Sequence, residues 1–253
     1  MHFDSRTMMI MIAVLSLMLS GLLALAGLHA RNVKGIWHWS LANLAIAISL
    51  GFSILPITPA TAGWWLVWGS ALISGGSALQ YMGIRAFMEA KPDWRIPALT
   101  VSIVFVETLW FTIIEPDIRH RVILNSLAFF AINGACAKML LVPAKPPLRT
   151  AYWLTGASFS IISLVLGVRV LAVALSVGDP YTLYTARPIN DVTFFILIIA
   201  ELCLNFGFVL MLNYRLADEL QQLAERGPTT GAAWKEKPNG CSRAQSGRRI
   251  LSP

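Results

Sequence analysis

The stretch MMIMIAVLSLMLSGLLALAGL, residues 8–28, contains no charged residue and is long enough to cross a lipid bilayer as one helix. A bilayer core is roughly 30 Å thick, and a helix that rises about 1.5 Å per residue needs about 20 apolar residues to cross it. Six further apolar runs follow, separated by short polar connections: 36–55, 64–87, 96–114, 122–142, 151–177 and 192–212. The sequence therefore predicts an all-α, polytopic membrane protein, a bundle of seven transmembrane helices.

The composition supports this prediction. Hydrophobic residues make up 56% of the 253 residues and charged residues 13%, whereas soluble proteins carry about 25% charged residues. The net charge of +7 does not indicate a nucleic-acid partner, because the basic residues gather in the connections and in the carboxyl-terminal tail. No small-residue cleavage site follows the first run, so we interpret that run as a membrane span and not as a cleaved signal peptide.

Residue types that hold metals or carry catalysis are scattered along the chain. Cys136 and Cys203 lie within apolar runs, and Cys241 lies in the tail. No pair of histidines at four-residue helical spacing faces another such pair, and the chain has no Ser/His/Asp set and no Gly-rich phosphate loop. We therefore expect no catalytic residue, no bound metal and no cofactor.

Basic residues near the connections predict how the chain is oriented, because they favour the cytoplasmic side. They favour one side by eight to four: Arg31, Lys34, Arg85, Lys91, Arg95, Lys138, Lys145 and Arg149 against Arg6, Arg119, Arg121 and Arg187. We therefore expect the amino terminus outside, the carboxyl terminus in the cytoplasm, and the chain in the inner (plasma) membrane. Aromatic rings are expected at the inner interface, namely those of Trp37, Trp39, Trp94, Tyr152, Trp153 and Tyr214.

The chain divides into a transmembrane domain (1–213), a cytoplasmic helix (214–226) and a tail (227–253) that is expected to be disordered. In the helix, Leu216, Leu220 and Leu223 are spaced by four and then three residues, which fits a short coiled-coil seam and a homodimer. An ordinary juxtamembrane helix is the alternative.

Small residues of the third run recur at four-residue spacing, as in Ala71 and Gly75 or Ser70, Ser74 and Ala78. Such spacing lets helices approach closely, so we expect the third helix to be central in the bundle.

Three ionisable residues lie deep within apolar runs: Glu107, Arg169 and Glu201. Charged groups inside a membrane are costly and need partners. Two interpretations remain open. Arg169 pairs with one of the carboxylates and locks the helices together, or the three residues belong to a polar ligand or proton-sensing pocket. We expect the amides of Asn43, Gln80, Asn125, Asn133 and Asn205 to form hydrogen bonds between helices.

The stretch LADELQQLAERGPTTGAAW, residues 216–234, resembles the entry to a GGDEF-type diguanylate cyclase domain. In that family a signalling helix ends in a Leu-Ala pair, followed by an Asp-x-Leu-Thr-Gly turn. Residues 223–224 match the pair, and residues 227–231 (GPTTG) stand in the place of the turn, although Gly227 replaces the aspartate and Thr229 the leucine. The GGDEF signature and its metal-binding aspartates are absent, so no catalytic residue carries over.

This resemblance implies a membrane-embedded sensory input module of a cyclic-di-GMP signalling protein that lacks its own catalytic domain. We expect a frameshift or premature stop to have removed that domain. The expected partners are the lipid bilayer, a second copy of the chain and an unknown small-molecule or membrane signal. A small membrane transporter or channel is the alternative, supported by the three intramembrane charges. A membrane-embedded enzyme ranks last, because no His, Asp or Glu cluster lies at the cytoplasmic edge.

Overall fold

A computed structural model describes residues 5–30, 33–52, 61–142, 149–175 and 188–226. These residues are almost entirely helical and contain no strand, which confirms the all-α prediction. The helices, in chain order, are α1 (Ser5–His29), α2 (Ile36–Gly51), α3 (Ala62–Phe87), α4 (Arg95–Leu109, continued by a π-helical turn, Trp110–Ile114), α5 (Ile118–Leu141), α6 (Arg149–Leu175) and α7 (Pro188–Arg226).

Within the described ranges, five helical segments are long and apolar enough to cross a membrane: Thr7–His29, Arg95–Ile114, Ile118–Leu141, Arg149–Leu175 and Val192–Gln222. This is the pattern of a multi-pass membrane protein. Two of the seven predicted spans, α2 and α3, do not belong to this set of five. The apolar helix α2 has 16 residues, and α3 contains many Gly, Ser and Trp residues, which lower its mean hydropathy.

Helices α2 and α3 pack closely and antiparallel through a row of glycines spaced by seven residues: Gly69, Gly76 and Gly83. A Cβ added at Gly76 would lie 2.9 Å from Ile46, and one added at Gly83 would lie 2.5 Å from the ring of Trp39. Gly69 faces the backbone of Ser49, whose hydroxyl donates to the Gly69 carbonyl oxygen at 2.7 Å.

The four-residue pattern of the sequence identified only part of the packed surface of α3. Ser74 and Ala78 are buried, whereas a Cβ added at Gly75 would meet no atom within 4 Å. Ala71, Gly75 and Ala78 line a groove beside α2 and α4. The central position of α3 is correct, because this helix contacts α2, α4 and α5.

Trp39 is the centre of an aromatic cluster that joins four helices. Its ring stacks on Phe208 of α7 at 4.3 Å between centroids and lies 5.4 Å from Phe87 of α3. Phe159 of α6 meets Phe208 edge-on at 6.2 Å. Trp39 is 0% exposed and Tyr152 is also buried, so these two rings pack against other helices. Trp37, Trp94 and Trp153 are exposed, as interfacial rings would be.

Asp117 caps the first turn of α5. Its carboxylate accepts hydrogen bonds from the backbone amides of Arg119 (2.8 Å) and His120 (3.2 Å), as at many helix starts. The His120 ring lies 2.5 Å from the second carboxylate oxygen. These hydrogen bonds, led by that of the His120 side chain, lower the pKa of Asp117. Because the helix begins at Ile118, Arg121 is a helical residue and not the loop residue assumed from the sequence.

The glycine row makes a direct prediction about stability. Gly83→Ala forces its new methyl group against Trp39, so the free energy of unfolding should fall by about 1–3 kcal/mol, as in other overpacked cores. Gly75→Ala is the matched control, because it adds the same methyl group to open space on the same helix. Alanine favours a helix by up to about 1 kcal/mol over glycine, so the control should be neutral or more stable. Denaturant unfolding in detergent measures both variants, and equal effects would contradict this packing.

Candidate ligand-binding cavity

A cavity of about 210 Å³ lies between six helices, α1, α2, α3, α5, α6 and α7. Most of its lining is apolar, and the polar side chains among it are few: Ser77, Gln80, Asn133, Arg169 and Glu201. A largely apolar pocket with a small number of polar groups is the usual form of a small-molecule site.

The polar groups lie at different depths in this cavity. Helices α6 and α7 run antiparallel, because Phe159 contacts Phe208 while the Arg169 guanidinium lies 5.9 Å from the centre of the Phe194 ring. Phe194 precedes Glu201 by seven residues, which corresponds to about 10 Å along the helix. Arg169 and Phe194 therefore mark the end of the cavity nearer the start of α7, and Glu201 lies deeper.

Gln80 lies at the deep end. It sits on α3 between Gly76, which faces Ala42, and Gly83, which faces Trp39. Asn205 of α7 pairs with Asn43, next to Ala42, so this part of α2 lies at least one turn beyond Glu201. Gln80 is 4% exposed, and its side chain contributes to the cavity wall.

A chain of hydrogen bonds connects the cavity to the contact between α2 and α7. The Asn205 amide donates to the Glu201 carboxylate at 3.2 Å and to the Glu201 carbonyl oxygen at 2.8 Å. Asn43 donates to the Asn205 side-chain oxygen at 3.0 Å and to the Trp39 carbonyl oxygen at 3.0 Å. Both asparagines are 0% exposed. Glu201 therefore belongs to the cavity wall and to the α2–α7 contact.

Two buried donors of the cavity have no hydrogen-bond partner, Arg169 Nε and Gln80 Nε2. The other polar groups are partly engaged. Ser77 donates to the carbonyl oxygen of Ile73, and Asn133 to that of Phe129. A buried donor without a partner costs about 1–3 kcal/mol. The two free donors are therefore the groups that an occupant of the cavity can satisfy.

The structure brings together two of the three predicted charges. Arg169 and Glu201 line one cavity, and Glu107 does not. Among the residues that the structure describes, no ion pair within 4.0 Å joins Arg169 to either carboxylate. Arg169 and Glu201 therefore share the wall of one cavity without forming an ion pair, and the polar-pocket interpretation stays a prediction.

Glu107 belongs to a separate polar cluster between α4 and α5. It is 6% exposed and accepts a hydrogen bond from Thr108 at 3.0 Å. Arg121, which is also buried, interacts electrostatically with Glu107 and donates to Thr112 at 3.0 Å. Arg121 was not predicted as an intramembrane residue, because the sequence pattern places it in a connection. Asp117 carried the available signal, since an aspartate before an apolar run is a typical helix start.

The amides behave differently from one another. The bond between Asn43 and Asn205 confirms the prediction of interhelical hydrogen bonds for this pair, and Asn125 reaches Thr108 of α4 at 3.4 Å. Asn133 donates within its own helix, and Gln80 Nε2 is unpartnered, so the prediction is wrong for these donors.

The predicted seam residues have different surroundings. Leu216 is partly buried and packs against the hydrophobic core, whereas Leu220 is 68% exposed. The Leu223 side chain and residues 227–253 lie outside the described part. By contacts the chain divides into two units, 1–216 and 217–253, and of the second unit the structure describes the helical residues 217–226. In the first unit, Arg215 of α7 pairs with Glu89 at 3.2 Å.

Within the described ranges, no group of three His, Cys, Asp or Glu side chains is placed to hold a metal ion. No protein-family model, curated protein or solved structure matches the chain.

The separation of Arg169 from Glu107 makes a prediction. If the two residues do not interact, the effects of Arg169→Leu and Glu107→Gln on the free energy of unfolding should add within about 0.5 kcal/mol. Val168→Leu, at an exposed position of the same helix, controls for substitution in α6 as such. Unfolding in detergent measures each variant. A double variant more stable than Arg169→Leu alone would contradict this prediction and would indicate an ion pair between the two residues.

Proposed function

We propose that this chain is a membrane-embedded sensory input module of cyclic-di-GMP signalling. The observation that carries the proposal is the dual position of Glu201. Its side chain lines the cavity and bonds to Asn205, which holds α7 against α2. A molecule that enters the cavity therefore meets the helix that continues to Arg226.

The proposed module crosses the inner membrane seven times, with the amino terminus outside. The length of α3 supports this count, because 26 residues span about 39 Å as a helix. Its close antiparallel packing on α2 supports an equivalent role for that shorter helix. Lys34 and Arg215 both reach Glu89, so three predicted cytoplasmic segments meet at one end of the bundle.

The proposed signal is a shift or rotation of α7 that changes how two copies associate. One-turn or smaller helix movements are common in signalling proteins. The exposure of Leu220 leaves this side chain available to a second copy, whereas Leu216 already packs within its own chain. The nature of the output rests on the resemblance of residues 216–234 to the entry of a diguanylate cyclase domain. No nucleic-acid partner is proposed.

A small transporter or channel is the second candidate, because Arg169 and Glu201 lie in one cavity among membrane-spanning helices. Polar groups in such positions often mark transport pathways. Flux of a labelled solute into proteoliposomes that depends on Glu201 would favour this candidate over the sensor.

A fusion tests the proposed function. Residues 1–226 are joined to an active GGDEF domain, and cyclic-di-GMP production is measured in membranes that contain equal amounts of each variant. Glu201→Gln should change production by about fivefold or more, the lower range of allosteric coupling, because it alters the bond to Asn205. Glu107→Gln is the matched control, since it makes the same chemical change outside the cavity. Production that is the same for both variants and the parent would contradict the sensor proposal.

A further inference from the structure

The guanidinium of Arg169 defines the chemistry of one end of the cavity. Its Nε has no partner, and the group lies beside the face of Phe194. No hydrogen bond or ion pair joins it to another side chain that the structure describes. A cation in an apolar environment is costly without a counter-charge. Because guanidinium presents parallel donors that match a carboxylate, a carboxylate is the ligand group that suits this end.

The deep end requires a different group. Gln80 Nε2 is an unpartnered donor, so an acceptor is needed there. Glu201 lines the same region with a carboxylate, which would repel a second carboxylate and accepts a hydrogen bond readily. A hydroxyl group meets both requirements, because it can accept from Gln80 and donate to Glu201.

The walls between the two ends are apolar and include Ile46, Ile73, Phe129, Ile162 and Leu166. Phe194 and Glu201 are separated by about 10 Å of helix rise, which suits an extended chain and not a compact ring. A cavity of about 150 Å³ holds benzene, so about 210 Å³ has room for a medium-length aliphatic chain.

We propose that the cavity binds a medium-chain aliphatic acid with a hydroxyl group at the opposite end of the chain. The carboxylate binds Arg169, the chain lies along the apolar walls, and the hydroxyl lies between Gln80 and Glu201. This inference deepens the proposed function, on which it rests for its biological meaning, by naming the chemical class of the signal.

Equilibrium binding to the full chain in nanodiscs tests the proposal. The probe is radiolabelled 8-hydroxyoctanoate, and empty nanodiscs correct for partition into lipid. Octanoate, which lacks the hydroxyl, should bind at least about fivefold more weakly, as expected for the loss of two net hydrogen bonds. The uncharged 1,8-octanediol should bind at least about tenfold more weakly, since it loses a charge-assisted contact.

Variants separate the two ends of the site. Arg169→Gln should weaken 8-hydroxyoctanoate at least about tenfold, and Gln80→Leu should remove most of its advantage over octanoate. Gln80→Leu should still bind octanoate, and this binding would show that the variant is folded. Glu107→Gln, outside the cavity, should bind all three probes as the parent does.

Several outcomes would overturn the assignment. They are the absence of saturable binding above empty nanodiscs, equal affinity for the acid and the diol, and an Arg169→Gln variant with parental affinity. Competition by phosphatidylglycerol in the nanodisc would assign the site to a lipid headgroup instead of a free acid. Binding without any effect of 8-hydroxyoctanoate on the cyclase fusion would leave the ligand assignment intact and contradict the sensor role.

Discussion

The hydrogen bond between Asn43 and Asn205 is the interaction on which the arrangement of this bundle depends. Both amides are fully buried between apolar helices, where neither can bond to water. Their pairing fixes the register of α2 against α7. One turn away, Trp39 stacks on Phe208, and that ring fits only because Gly83 leaves room beside it. The amide pair, the stacked rings and the glycine at position 83 therefore all specify how α2 packs against its neighbours.

The cavity follows from this contact. Glu201 is one turn before Asn205 on α7, and Ile46 is close to Asn43 on α2, so the residues that fix the register also position part of the cavity wall. Glu107 has its own partners in Thr108 and Arg121, away from the cavity. Glu107 and Arg169 each still have one buried atom without a hydrogen-bond partner. These atoms are Glu107 Oε2 in the cluster between α4 and α5 and Arg169 Nε at the cavity.

The positions of the helices could be predicted from hydropathy, but their contacting faces could not. The run 122–142 is close to α5 (Ile118–Leu141), and the helix expected after the last run belongs to α7, which ends at Arg226. In a membrane, a face that meets lipid is as apolar as a face that meets protein. The pattern therefore did not distinguish Gly75 from Gly83, and it did not indicate that Trp39 is buried between helices. Arg169 and Glu201 were identified because charge within an apolar run is conspicuous, whereas the place of Gln80 on the cavity wall needed the three-dimensional arrangement.

The most direct test of the link between the cavity and the α2–α7 contact is a double-mutant cycle on Asn43 and Asn205. The free energies of unfolding of Asn43→Ala, Asn205→Ala and the double variant would be measured in detergent and compared with the parent. The account predicts a coupling energy of about 0.6 kcal/mol, the average found for hydrogen bonds between membrane helices, and at most about 1.7 kcal/mol. Additive effects of the two substitutions would show that the amides do not interact, and would contradict the link between the cavity and the α2–α7 contact.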